Sequence, residues 1–329
     1  MLMNEKAPLV SVVVPNYNYA RYLDARLSSI LNQTFQDFEL ILLDDASTDN
    51  SLELLDRYKN DPHVSHFIVN EQNTGSPFKQ WMKGILLAKG EWVWIAEADD
   101  LCEPTFLETC VEQVQKYPNV SVCMTAFRYI DEKGNILPQE ANYWGEKEPA
   151  VSACRFSGRA YAEHNMYWNC CVANASGVLF RRSYATNLSD SSFLNMRYSG
   201  DWCFWFQMLL QGDMVEVYKY LNKFRQHTAK VSVEGVKSGN RIKEDIDVLS
   251  LMERTFPEMK KYKRRLAHGM ICRKIKKLND AKKRVELSEY LSERLGGKAS
   301  DLRLFHLNNY LRFICPWLIT IKRDRLKVL

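Results

Sequence analysis

An α/β fold with a mostly parallel sheet flanked by helices, followed by a helical extension, is what this sequence predicts, on three observations. Through residue 126, short apolar runs alternate with segments whose apolar residues recur at helical spacing, the rhythm of βαβ units. The run Trp92-Val93-Trp94-Ile95-Ala96 follows Gly90 and ends in Glu97, Asp99 and Asp100, which reads as a buried strand reaching a polar crevice. Beyond about residue 240 only helical patterns remain, with Leu249, Met252 and Phe256 as one apolar stripe.

Taken in order, Leu9 to Val14 is a strand stopped by Pro15, and Leu23, Leu27, Ile30 and Leu31 mark the helix after it. Phe38 to Leu43 is a second strand ending in Asp44-Asp45. Ser47, Thr48 and Asp49 then cap a short helix carrying Leu52 and Leu55. Phe67 to Val69 belongs to a third strand, and the turn-rich Asn73-Thr74-Gly75-Ser76-Pro77 leads into a helix from Phe78 to Ala88, closed by Gly90. After the acidic strand come a helix from Thr105 to Tyr117 and a strand from Val120 to Ala126. From 127 to about 170 the pattern weakens, and the aromatics Tyr143 and Trp144 are neither clearly core nor clearly site. Ala175 to Phe180 and Val215 to Tyr220 read as further strands. The domain boundary falls near 240, giving a 1–240 body and a 241–329 basic helical region.

The net charge of +5 hides an asymmetry: residues 251–329 carry 21 Lys and Arg against 8 Asp and Glu, whereas residues 1–250 carry 24 against 32. A basic tail on an acidic body points to an anionic surface as the tail's partner. Nucleic acid is disfavoured, because the body is acidic and no recognition module shows. The nine cysteines form no Cys-x-x-Cys pair, which suits small core residues in a reducing compartment. Met1 to Pro8 has no signal-peptide pattern, and no apolar run is long enough to span a bilayer. These features predict a cytoplasmic protein, peripheral at the inner face of the membrane.

Four polar clusters follow predicted strand ends: Pro15-Asn16-Tyr17-Asn18, Asp44-Asp45, Glu97-Ala98-Asp99-Asp100 and Ser199-Gly200-Asp201-Trp202. A parallel sheet would bring the first three to one edge. Helix capping needs one acid, and three within four positions repel unless a cation sits among them; a hard divalent ion with oxygen ligands meets that need.

The succession Val12-Val13-Val14-Pro15-Asn16-Tyr17-Asn18, then Gln33-Thr34-Phe35, Phe38-Glu39-Leu40-Ile41 and Asp44-Asp45-Ala46-Ser47-Thr48-Asp49, then Asn73-x-Gly75, then Ala88-x-Gly90-Glu91 and Ala96-Glu97-Ala98-Asp99-Asp100, resembles the glycosyltransferase family 2 proteins of GT-A fold. The resemblance is strong over residues 8–126 and weaker to about 235. It implies a nucleotide-diphosphate sugar donor, Mn²⁺ or Mg²⁺, and inversion at the anomeric carbon. Carried over by position, Pro15, Tyr17, Asn18, Asp45, Lys79, Glu97, Ala98 and Asp99 would meet the donor. Tyr17 would lie on the base and Asp45 would accept its N3–H, a pairing that favours UDP or dTDP, while Asp44 supports the loop. The metal falls to Asp99 and Asp100, with His227 completing the site and Glu97 serving the ribose or supporting the ligands. Asp201 matches the catalytic base, held ionised by its helix dipole.

The expected activity is sugar transfer to a glycan or lipid-linked hydroxyl in surface polysaccharide or related glycan synthesis. A nucleotidyltransferase would need a Gly-rich basic phosphate loop where Pro15-Asn16-Tyr17-Asn18 stands. A silent scaffold of the same fold would be expected to have lost Asp201 or the metal acids. In the tail, Phe305, Leu311, Phe313, Ile314, Trp317, Leu318 and Ile321 beside Arg312 and Lys322-Arg323 suit an anionic membrane; packing on the body or a homo-oligomer contact is the competing use.

Overall fold

The computed structural model describes residues 7–138, 151–226, 235 and 238–314. His227, the Tyr143/Trp144 pair and the Trp317 segment lie outside the described residues. Among the described residues the strands are β1 (Val10–Asn16), β2 (Phe38–Asp44), β3 (Val64–Val69), β4 (Trp92–Ile95), β5 (Leu101–Cys102), β6 (Val120–Ile130), β7 (Ala153–Phe156), β8 (Val178–Arg181) and β9 (Asp213–Arg225). The helices are α1 (Ala20–Leu31), α2 (Ser51–Tyr58), α3 (Pro77–Leu87), α4 (Phe106–Lys116), α5 (Gly158–Tyr161), α6 (Arg182–Thr186), α7 (Gly200–Leu209), α8 (Asn240–Thr255), α9 (Lys261–Lys276), α10 (Ala281–Leu295) and α11 (Ala299–Ile314).

One sheet runs β3-β2-β1-β4-β8-β6-β9-β5, with β7 added on β9. Its first half is parallel, and β8 enters antiparallel between β4 and β6. The period of two sends alternate side chains to opposite faces. Val12, Val14, Leu40, Leu42 and Trp94 pack with Leu23 and Leu27 of α1 and Phe106 of α4. Val13, Ile41, Leu43 and Ile95 pack with Trp81 of α3, Trp205 of α7 and Leu249 of α8. Helices therefore cover both faces, which is why the central strands are buried along their length and mostly apolar, Ser11 and Glu39 being paired with each other inside. Ile271 of α9 and Leu287 of α10 belong to the same apolar cluster as Trp205, so the C-terminal helices share the body's core.

Several local expectations are corrected. Pro15 does not stop β1, which continues beside Leu43 and Asp44. Pairing with β4 has ended at Val13, so Pro15 has only β2 beside it, a position that tolerates a missing N–H. Gly90 does not close α3, which ends at Leu87. It lets the chain approach β1: a Cβ there would lie 2.7 Å from the Ser11 nitrogen, and its own N–H donates to Ser11 Oγ at 2.8 Å. Residues 175–177 form a 3-10 turn ahead of β8, and β6 and β9 run on to Ile130 and Arg225 through shifts in their shared register. The two-residue β5 and four-residue β7 are too short to give a period.

Candidate functional site

The ends of β1, β2 and β4 do meet at one edge: Asn16 pairs with Asp44, and Val13 with Ile95 just before the acids. Asn16 donates to Asp44 at 2.7 Å, and Asp44 also accepts from the Ser47 N–H and hydroxyl at 2.8 and 2.7 Å. Asn18 and Ala46 hold positive φ values of 60° and 61°. Such backbone persists only where the surroundings impose it. Here the Asn18 N–H donates to Ser47 Oγ at 2.9 Å, and Asn18 Oδ1 accepts from the Thr48 N–H at 2.7 Å. Tyr17, at the rim of this latched pair of loops, is 43% exposed and can offer its ring to a planar ligand.

Asp45 is buried and its carboxylate is fully used. It accepts from Asn70 Nδ2 at 2.6 Å, Gln80 Nε2 at 2.9 Å, the Thr74 N–H at 3.0 Å and the Thr74 hydroxyl at 2.8 Å. A carboxylate has about four acceptor sites, so a base imide reaches Asp45 only by displacing one of these donors. Lys79 stands exposed on α3, while Pro15 and Ala98 are buried in the strand ends.

Glu97 accepts from the Trp81 indole at 2.7 Å, and burial, then the charge of Asp99, pushes its carboxyl up to about 8. Asp100 accepts from the Arg225 N–H at 2.8 Å and from Asn174 at 2.7 Å; burial and Asp99 push it up to about 6. Asp99 is half-buried, and its carbonyl accepts from Arg225 Nε at 2.5 Å. Burial is the larger cause of both shifts and the charge of Asp99 the next, only partly offset by Arg26. Among the described residues no three His, Cys, Asp or Glu groups converge on a metal position. Carboxylate oxygens are the donors a hard divalent cation takes, and both Asp100 oxygens already accept hydrogen bonds, from the Arg225 N–H and from Asn174.

Asp201 is the second residue of α7, and its carboxylate accepts from the next N–H at 2.7 Å. The helix dipole does not dominate it: burial pushes the carboxyl up to about 6, against the pull of that N–H and of Arg241. A group with that value is ionised at neutral pH and still basic enough to take a proton. Gly200 is required before it, since a Cβ there would come within 2.5 Å of the Phe78 ring.

Three contributors escape the sequence reading. Gln80 and Trp81 lie on α3 with Phe78, so one helix touches Asp45, Glu97 and the start of α7. Arg26 is fully buried with its guanidinium 4.9 Å over the Trp94 ring, and its charge lowers Glu97 and Asp100. Its signal was legible, since Arg26 falls three residues after Leu23, on the apolar face of α1. Glu244 of α8 accepts from the N–H groups of Arg197, Tyr198 and Ser199 at 2.7–2.8 Å, and Asp245 accepts from Ser199 Oγ at 2.7 Å.

Residues 11–188, more than half of the chain, match the family described as Glycosyl transferase family 2. The chain belongs to glycosyltransferase family 2. It is 38% identical over 128 residues to Glycosyltransferase GlyG of Streptococcus pneumoniae, a match covering 39% of this chain and 42% of that protein. The chain thus spans less than half of that relative. The crystal structure of S. aureus TarS 1-349 in complex with UDP-GlcNAc superimposes with a TM-score of 0.55 at 18% identity, covering 93% of this chain and 91% of that one. Mannosyltransferase PcManGT from Pyrobaculum calidifontis, in complex with GDP-Man and Mn²⁺, gives 0.56 at 14% identity, covering 95% of this chain and 83% of that one. These likenesses establish the GT-A fold. Among the described residues no helix is long and apolar enough to cross a membrane.

Proposed function

We propose that this chain is an inverting, metal-dependent glycosyltransferase that moves a sugar from a UDP- or dTDP-type donor to a hydroxyl of a glycan or lipid-linked acceptor, in the synthesis of a surface polysaccharide or related glycan. The observation that carries the reading is α3, which contacts Asp45, Glu97 and the Gly200-Asp201 helix start within a single turn. A direct displacement needs donor and base held at fixed separation, and one rigid helix supplies that.

Tyr17 stacks on the base, and Asp45 accepts its imide in exchange for one of its present donors. Pro15, Asn18 and Ala98 shape the floor beneath the nucleoside, and Lys79 reaches the diphosphate. Asp99 and Asp100, completed by His227, would hold Mn²⁺ or Mg²⁺, whose charge would stabilise the departing diphosphate. Glu97, fixed by Trp81, orients the ribose. Asp201 takes the proton from the acceptor hydroxyl as it attacks the anomeric carbon. Residues 1–240 form the catalytic body. Residues 241–329 form a basic region, helical over its described part, that faces an anionic membrane, as the exposed Leu307, Tyr310, Phe313 and Ile314 of α11 support.

The test is Asp201→Asn, with sugar transfer and donor affinity measured separately in the presence of Mn²⁺. Transfer should fall by about 10²–10⁴-fold with donor affinity near wild type. Retained transfer would reduce Asp201 to a helix-start residue and remove the base from the mechanism.

A further inference from the structure

A cavity of about 680 Å³ opens among the C-terminal helices, away from the strand ends that carry the acids. The α8–α9 and α10–α11 turns wall it, so the first turns of two 16-residue helices, α9 and α11, both meet it. Helix starts present unsatisfied N–H groups and the positive end of the dipole, which favour an anion. The side chains add to that bias: Lys261, Arg264, Arg265 and Lys298 line the space against only two carboxylates, Glu253 and Asp301.

Both carboxylates are already engaged. Glu253 accepts from the Tyr167 hydroxyl at 2.7 Å and lies 2.8 Å from His268 Nε2. Asp301 accepts from Arg265 Nε at 2.7 Å and from the Lys298 N–H at 2.9 Å. Two of the four cations are committed: Arg265 to Asp301, and Arg264, whose guanidinium donates to the Phe256 and Pro257 carbonyls at 3.1 and 2.6 Å while its Nε, 3.9 Å from Glu253, has no hydrogen-bond partner among the described residues. Lys261 and Lys298 are exposed, with no ion pair among the described residues.

We propose that this cavity binds a phosphate ester, either the head of a lipid or a free phosphate compound, held by Lys261, Lys298, Arg264 and the helix starts. A carboxylate would bring one charge and two acceptor atoms to a site whose formal excess is two positive charges; a phosphate monoester brings up to two charges and three terminal oxygens. The floor also reaches the catalytic body. Tyr167 donates to Glu253, and its neighbour Met166 accepts at its carbonyl from the indole of Trp202, the residue after Asp201. The site does not depend on the assignment of Asp201 or of the metal acids.

The experiment is calorimetry with glycerol phosphate, together with sedimentation on phosphatidylcholine vesicles with and without phosphatidic acid, on the full chain. The double variant Lys261→Ala/Lys298→Ala is compared with Lys276→Ala/Lys277→Ala, which removes the same charge from exposed positions outside the cavity. Binding should be saturable in wild type and in the control, and weaker by about tenfold or more in the cavity variant. Cavity-dependent sedimentation with phosphatidic acid assigns the lipid head, and cavity-dependent binding of glycerol phosphate alone assigns a free compound. The proposal is overturned if wild type binds neither probe, or if cavity and control variants lose binding equally.

Discussion

At the sheet edge, Glu97, Asp99 and Asp100 crowd near a buried Arg26; among the C-terminal helices, four cations crowd around Glu253 and Asp301. The first cluster is assembled by strands, whose parallel pairing aligns Asn16, Asp44 and the end of β4 along one line. The second is assembled by helix ends, brought together only because α8 to α11 pack at particular angles. Their energetics differ as well. The acids sit where burial raises their carboxyls, so they are poised for a cation. Lys261 and Lys298 sit at an open rim, where solvent screens them, while Arg264 and Arg265 are partly buried behind them. Acids held by strand ends are fixed by the register of the sheet, whereas exposed lysines at helix starts stay free to move.

The strongest way to break this contrast is to remove the countercharge from each side. Arg26→Met should destabilise the fold by about 3–5 kcal/mol, the usual effect of leaving buried charges without their partner. Arg265→Ala, which removes a partly exposed donor from the buried Asp301 but leaves that carboxylate the Lys298 N–H, should cost about 1 kcal/mol, the net value of one hydrogen bond. Urea denaturation at neutral pH measures both. Equal losses would show that the two clusters do not differ in burial in the way their geometry implies.

How much of this was legible in the sequence follows the same division. The strands and the meeting of Asp44 with Asn16 could be placed, because parallel strands in sequence order carry their C-terminal ends to one side. The reach of α3 could not, because Phe78, Gln80 and Trp81 read as ordinary helix residues until the sheet shows what each one faces. Burial also reverses an expectation based on a local effect. The helix start predicts an easily ionised Asp201, yet desolvation outweighs the dipole and raises it. The role of Glu244 was hidden for another reason: its three donors lie more than forty residues away along the chain, and no period links them.

Glu244 ties α8 to the segment that leads into Asp201, and it offers the next test. Glu244→Ala leaves the N–H groups of residues 197–199 without their acceptor. Stability should fall by about 1.5–3 kcal/mol, the range for hydrogen bonds to a charged group. Because the segment leads directly into Gly200-Asp201, kcat should fall by about 10–100-fold while donor affinity stays near wild type, since only the base moves. Steady-state kinetics alongside donor calorimetry separates the two. An unchanged kcat would mean that the helical region supports the fold without supporting the chemistry.

The pH dependence of stability isolates Asp201 from the other acids. Its carboxyl is raised from 3.8 to about 6 by burial. Between those values the folded protein keeps a proton that the unfolded chain has released, so the folded state binds more protons and its stability falls as pH rises. The contribution is fully present below about pH 4 and is gone above about pH 6. Asp201→Asn carries no such titration. Its stability relative to wild type should therefore climb through this window and then level, so that at neutral pH the inactive variant is the more stable of the two. Glu97 and Asp100 titrate in both proteins, and the difference between paired thermal melts removes them. Wild-type kcat should fall on the acid side of about pH 6, as the base is protonated. A flat stability difference from pH 4 to 8 would mean that Asp201 is well solvated, and the acid limb of kcat would then have to come from another carboxylate at the sheet edge.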